Sequence, residues 1–87
     1  SYVYDYFAVT ASSNTMTVSL SHVTALASAS DYTVTVYNSS GTTLSTNSAN
    51  NGVDTSDNIT VTSGSSYFIR ARGSYATTYK YTLTVSF

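Results

Sequence analysis

Ser66-Tyr67-Phe68-Ile69-Arg70-Ala71-Arg72-Gly73 and Tyr79-Lys80-Tyr81-Thr82-Leu83-Thr84-Val85-Ser86-Phe87 are the two runs around which the chain is arranged. In the second, Tyr79, Tyr81, Leu83, Val85 and Phe87 share one parity, and Lys80, Thr82, Thr84 and Ser86 take the other. Successive side chains of a strand point to opposite sides, so this run has an apolar face and a polar face. In the first run Tyr67, Ile69 and Ala71 hold the apolar parity, while Phe68, Arg70 and Arg72 point the other way. Together they read as a hairpin closed by residues 73–78, which present Tyr75. All three basic residues of the chain fall within it. An aromatic ring and two guanidiniums on a face expected to meet solvent stand out in a protein with only 8% charged residues.

The upstream segments read as scaffold in the same period of two. Residues 3–10 form a strand with Phe7 and Val9 inward and Tyr6 and Ala8 outward. Ser12-Ser13-Asn14 is a turn. Residues 15–21 alternate Met16, Val18 and Leu20 against Thr17, Ser19 and Ser21. Val23 and Leu26 would cap the core from a connection of small residues, 25–30. Residues 31–38 place Tyr32, Val34 and Val36 inward and Thr33, Thr35 and Tyr37 outward. Asn38-Ser39-Ser40-Gly41 is a turn in which glycine can take a positive φ and Asn can bond its own backbone. A short strand surrounds Leu44. Residues 47–56 form the longest polar stretch and read as a loop. Ile59 and Val61 point inward from a strand over residues 57–62, and Ser63-Gly64-Ser65 turns into the hairpin. Seven or eight short strands, with turn signals between them and no helical period, predict an all-β, antiparallel, jelly-roll-like sandwich.

Length and composition set further bounds. Eighty-seven residues make one domain, 1–87, with a small core that buries roughly 60–65% of the unfolded surface. Ser, Thr and Asn number 17, 16 and 6, whereas Glu, Gln, Pro, Trp and Cys are absent. A net charge of −1 with three basic residues lacks the clustered positive surface that nucleic acid requires. No stretch approaches the ~20 apolar residues of a membrane span. The hydroxyl-rich, charge-poor composition fits a secreted, extracellular module, and the Ser1-Tyr2-Val3 start fits a piece excised from a longer polypeptide.

Several segments resemble the bacterial pre-peptidase C-terminal domain family. Asp5-Tyr6-Phe7-Ala8-Val9-Thr10 is similar to its opening strand. Residues 31–44, DYTVTVYNSSGTTL, are similar to its "DLDLYLYDANGTLL" segment, and Tyr67-Phe68-Ile69-Arg70-Ala71-Arg72-Gly73 with Tyr81-Thr82-Leu83-Thr84-Val85 to its close. The resemblance spans nearly the whole chain. It implies a jelly-roll-like accessory domain attached in cis to the catalytic domain of a secreted hydrolase. Relatives of that kind bind collagen, resemble carbohydrate-binding modules, or hold stabilising calcium.

Catalytic chemistry finds little material. His22 is the only histidine, Glu and Cys are missing, and no Gly-x-Ser-x-Gly elbow marks a nucleophile, so no enzyme is expected. The four carboxylates, Asp5, Asp31, Asp54 and Asp57, read first as turn-forming and backbone-capping residues. They are also the candidate ligands should calcium be bound, since that ion wants six to eight oxygens. The stronger signal is the outward set Tyr37, Phe68, Arg70 and Arg72, with Tyr75 in a loop. Tyrosine offers a flat apolar ring with a hydroxyl handle, and arginine a planar fork of donors. Such a set can stack on sugar rings and bridge their hydroxyls, although outward Tyr and Arg also pair simply to stabilise a sheet. The expectation is a non-catalytic module that tethers a secreted hydrolase to an insoluble polysaccharide. The alternative is the C-terminal domain of a secreted peptidase that binds collagen-like protein or aids folding and secretion.

Overall fold

The computed structural model describes residues 2–21, 32–49, 54–74 and 81–87, and every regular element among them is a strand. In chain order these are β1 (Tyr2–Thr10), β2 (Thr15–Ser21), β3 (Tyr32–Asn38), β4 (Thr43–Ala49), β5 (Thr55–Thr60), β6 (Ser66–Ser74) and β7 (Thr82–Ser86). They form a four-stranded sheet, β1-β6-β3-β4, and a three-stranded sheet, β5-β2-β7. All pairings are antiparallel. The chain changes sheet at every connection except β3 to β4, and the two sheets make an all-β sandwich.

The alternation read from the sequence builds the core. Met16, Val18 and Leu20 from β2 face Val34, Val36, Tyr67 and Ile69 from the other sheet, and all are buried. Ile59 and Val61 close one side, while Val9, Tyr81, Leu83 and Val85 pack against the cluster from its margins. Tyr32 and Tyr81 meet edge to face, with ring centroids 5.7 Å apart. That arrangement suits the ring quadrupoles better than a parallel sandwich.

The two expected glycine turns are present. Gly41 has φ +84° and Gly64 φ +88°, a region that L side chains avoid. At the first turn the Asn38 side-chain oxygen accepts from the backbone N–H groups of Ser40 and Thr42, each at 3.0 Å. At the second, Gly64 N–H donates to the Ala11 carbonyl at 2.7 Å and Ser63 N–H to the Asn14 side chain at 3.0 Å. The Tyr67 hydroxyl accepts from Thr62 N–H at 2.8 Å. Sequence-distant turns are thereby locked onto one end of the sandwich.

Three expectations are corrected. β6 and β7 are not a hairpin: β6 pairs with β1 and β3, and β7 pairs with β2 in the opposite sheet. Both carry the same inward parity, so they face each other across the core instead of sharing a ladder. The polar stretch from residue 47 does not begin a loop, because Asn47, Ser48 and Ala49 continue β4 opposite Val34, Thr33 and Tyr32. Phe7 keeps the inward parity opposite Ile69, yet it is 40% exposed. It stands on the edge strand, with a neighbouring strand on one side only. Leu44 is the residue displaced by a bulge between β3 and β4, and it too is exposed. Val23, Leu26 and the connection 25–30 lie outside the described residues, as do Tyr79 and Lys80.

Candidate binding face

Antiparallel register puts directly opposed residues on one side of a sheet, which defines the outer face of β1-β6-β3-β4. Tyr6 opposes Arg70, Tyr4 opposes Arg72 and Ala8 opposes Phe68. On the other flank of β6, Tyr37 opposes Phe68, Thr35 opposes Arg70 and Thr33 opposes Arg72. Four of the five expected contact residues, Tyr37, Phe68, Arg70 and Arg72, therefore share one surface. Tyr75, the fifth, lies outside the described residues. The face also gains Tyr4, whose parity with Tyr6 was the available signal.

Arg70 is the centre of this surface. Its guanidinium carbon lies 5.2 Å from the Tyr4 ring centroid and 5.8 Å from that of Tyr37. A cation over an aromatic face at such range is attracted by the ring quadrupole, by about 0.5–1 kcal/mol at an exposed site. Tyr4 and Tyr6 run side by side, their centroids 6.4 Å apart and their planes inclined by 23°. Tyr6 is 65% exposed, and Tyr4 and Phe68 stand out to solvent as well. Between them the long side chains lie down on the sheet. The outward hydroxyl-bearing Thr33 and Thr35 are buried, and Arg72 donates from a terminal nitrogen to the Thr33 hydroxyl at 3.2 Å. The Thr35 hydroxyl and Arg70 Nε are closed from solvent without a hydrogen-bond partner. The result is one surface three strands wide, with rings at both margins and a cation in the middle.

The described carboxylates, Asp5, Asp54 and Asp57, do not gather. Asp5 lies on β1 with the inward parity and accepts a hydrogen bond from the Tyr81 hydroxyl, joining the two sheets at one edge of the sandwich. Burial pushes the Tyr81 phenol well above its ordinary pKa, helped by the hydrogen bond to Asp5, the Asp5 charge and the neighbouring Tyr32. At the opposite edge Asp57 accepts from the Ser45 hydroxyl, joining β5 to β4. Asp54 is exposed just ahead of β5. Asp31 and His22 lie outside the described residues. Among the described residues no three His, Cys, Asp or Glu side chains stand together as a metal site. Asp5 and Asp57, two of the candidate calcium ligands, are each engaged by a hydroxyl of the facing sheet. They clasp the two edges of the sandwich.

In comparison with known proteins, the chain matches no family model, no curated protein and no solved structure. The resemblance to pre-peptidase C-terminal domains rests on the segments quoted above.

Proposed function

We propose that the protein is a non-catalytic polysaccharide-binding module whose contact surface is the outer face of the four-stranded sheet. The supporting observation is Arg70 held between Tyr4 and Tyr37 on a sheet face that also exposes Tyr6 and Phe68. Flat rings offer apolar area to the C–H faces of sugar rings, with little side-chain entropy to lose. The arginine supplies donors in a fixed plane for oxygen atoms beside those rings. A sheet face three strands wide suits an extended chain better than a small metabolite, which is usually enclosed in a concave pocket.

In this reading the module serves a secreted hydrolase to which it is joined. Tethering raises the enzyme's effective concentration at its polymer, so weak affinity per module is enough. The test is retention of the chain on cellulose, xylan, chitin, starch, pectin and fibrillar collagen, with calcium and with chelator. Retention on a polysaccharide that falls at least about tenfold in Tyr6→Ala/Phe68→Ala is expected. Retention on collagen alone would replace this reading with the peptidase-associated one. Retention on nothing would leave the arginine and tyrosines as sheet stabilisers.

A further inference from the structure

The same face points to the kind of polysaccharide. Arg70 has a guanidinium with five N–H donors. Among the described residues it makes no hydrogen bond and no ion pair; its Nε is closed from solvent, so the two terminal nitrogens are the donors that a ligand can meet. Its contacts are the two tyrosine rings. Those rings fix the position of the cation and accept none of its hydrogen bonds in the plane. No described carboxylate stands on this face: Asp5 and Asp57 take the inward parity and are engaged across the edges, and Asp54 precedes β5 in the other sheet. An arginine that only stabilised the sheet would do so better with an acid opposite it, and its cross-strand neighbours are Tyr6 and Thr35.

We infer that the polymer carries uronic acid residues, with a sugar carboxylate pairing with Arg70 while neighbouring rings rest on Tyr6 and Phe68. This rests on the polysaccharide reading above. A planar carboxylate matches the planar fork with two parallel N–H···O bonds, a geometry that fixes orientation as well as affinity. The charge count favours uronate over a densely sulfated chain. Three basic residues and a net charge of −1 give no broad positive field for a heavily charged polyanion, but one held guanidinium suffices for one carboxylate per contact.

The probes are polygalacturonate, its fully methyl-esterified form, uncharged galactan and cellulose, and carrageenan as a sulfated polymer, each in affinity electrophoresis with the full chain. Selective retardation by polygalacturonate, lost on esterification and weakened about tenfold or more in Arg70→Gln, is the expected result. Arg70→Lys keeps the charge but not the fork, and should recover only a minor part of the binding. Comparing acid with ester on the unmodified chain keeps the test decisive if the variants fold poorly. Equal retardation by acid and ester, or by the uncharged polymers, would overturn the uronate assignment and leave the polysaccharide reading standing. Preference for carrageenan would overturn it in favour of sulfate. Retardation by none of these polymers would overturn the uronate assignment, and absence of retention on xylan, chitin and starch as well would remove the polysaccharide reading.

Discussion

The two sheets are built alike on the inside and differently on the outside. Outside β5-β2-β7 every described position holds a small polar residue. Thr15, Thr17, Ser19 and Ser21 on β2 oppose Thr60, Asn58 and Ser56 on one side and Ser86, Thr84 and Thr82 on the other. These groups satisfy one another: Thr17 donates to the Asn58 side chain at 2.8 Å, and the Ser19 and Ser56 hydroxyls lie 2.9 Å apart. Outside β1-β6-β3-β4 stand three tyrosines, a phenylalanine and two arginines, with a buried threonine hydroxyl lacking a partner beneath them. The first face is a self-satisfied polar surface. The second carries exposed rings and an arginine, Arg70, with no described acid opposite it. That contrast is the argument for binding.

Substitutions on the inner and outer faces separate folding from binding. The largest effects should come from the inner faces, where the sheets are equivalent. Ile69→Ala in one sheet and Leu20→Ala in the other should each lose about 2–5 kcal/mol in denaturant unfolding, since both side chains are fully buried. A small loss at either site would show that the core is less tightly packed than described.

Next come the outer faces, which should separate by readout. Tyr6→Ala/Phe68→Ala should lower polymer affinity about tenfold or more while stability changes by less than about 1 kcal/mol, as exposed substitutions usually do. Thr17→Ala/Ser19→Ala should leave affinity unchanged and lower stability by about 0.5–1 kcal/mol through lost hydrogen bonds. Equal binding losses from both pairs would erase the distinction between the faces.

A pH titration examines the clasp between the sheets. The folded Tyr81 phenol holds its proton more tightly than the unfolded chain does, because it is buried and bonded to Asp5. Its contribution is therefore complete below the unfolded value of about 10 and disappears as pH climbs through the higher folded value. Thermal melts should fall on the alkaline side of pH 10, and Tyr81→Phe should flatten the part of that fall due to this hydroxyl. The same substitution should lose about 1 kcal/mol near neutrality. An unchanged alkaline profile would mean the clasp is not formed in solution.

A comparably small effect is expected at Gly64→Ala, about 1 kcal/mol, read by chemical unfolding. A Cβ there meets nothing within 4 Å, so the loss comes from the φ of +88° alone.

Much of this architecture is legible in local sequence because period-two alternation is a local property. Met16-Thr17-Val18-Ser19-Leu20 declares its inner face without reference to any partner, and Gly41 and Gly64 declare their turns. Partner choice is not local. The runs that became β6 and β7 have matching patterns, and nothing in either says whether the other lies beside it or across the core. The edge position of β1 is equally silent, which is why Phe7 has the parity of a core residue and the exposure of a surface one. The site followed the same division. Parity alone put Tyr37, Phe68, Arg70 and Arg72 outward. Only the strand order β1-β6-β3 brought Tyr4 and Tyr37 to opposite sides of Arg70 and distributed Asp5 and Asp57 to opposite edges.

Titrating the isotopically labelled chain with oligogalacturonate while following backbone amide shifts tests the binding face most directly. The expected perturbations lie in β1, β6 and β3, centred on Arg70 and including Phe68 and Tyr37, with Thr17, Ser19 and Asn58 unmoved. Perturbations confined to β5, β2 and β7 would contradict the assignment of the aromatic–arginine face as the binding surface, and no perturbation at millimolar oligosaccharide would contradict the uronate assignment.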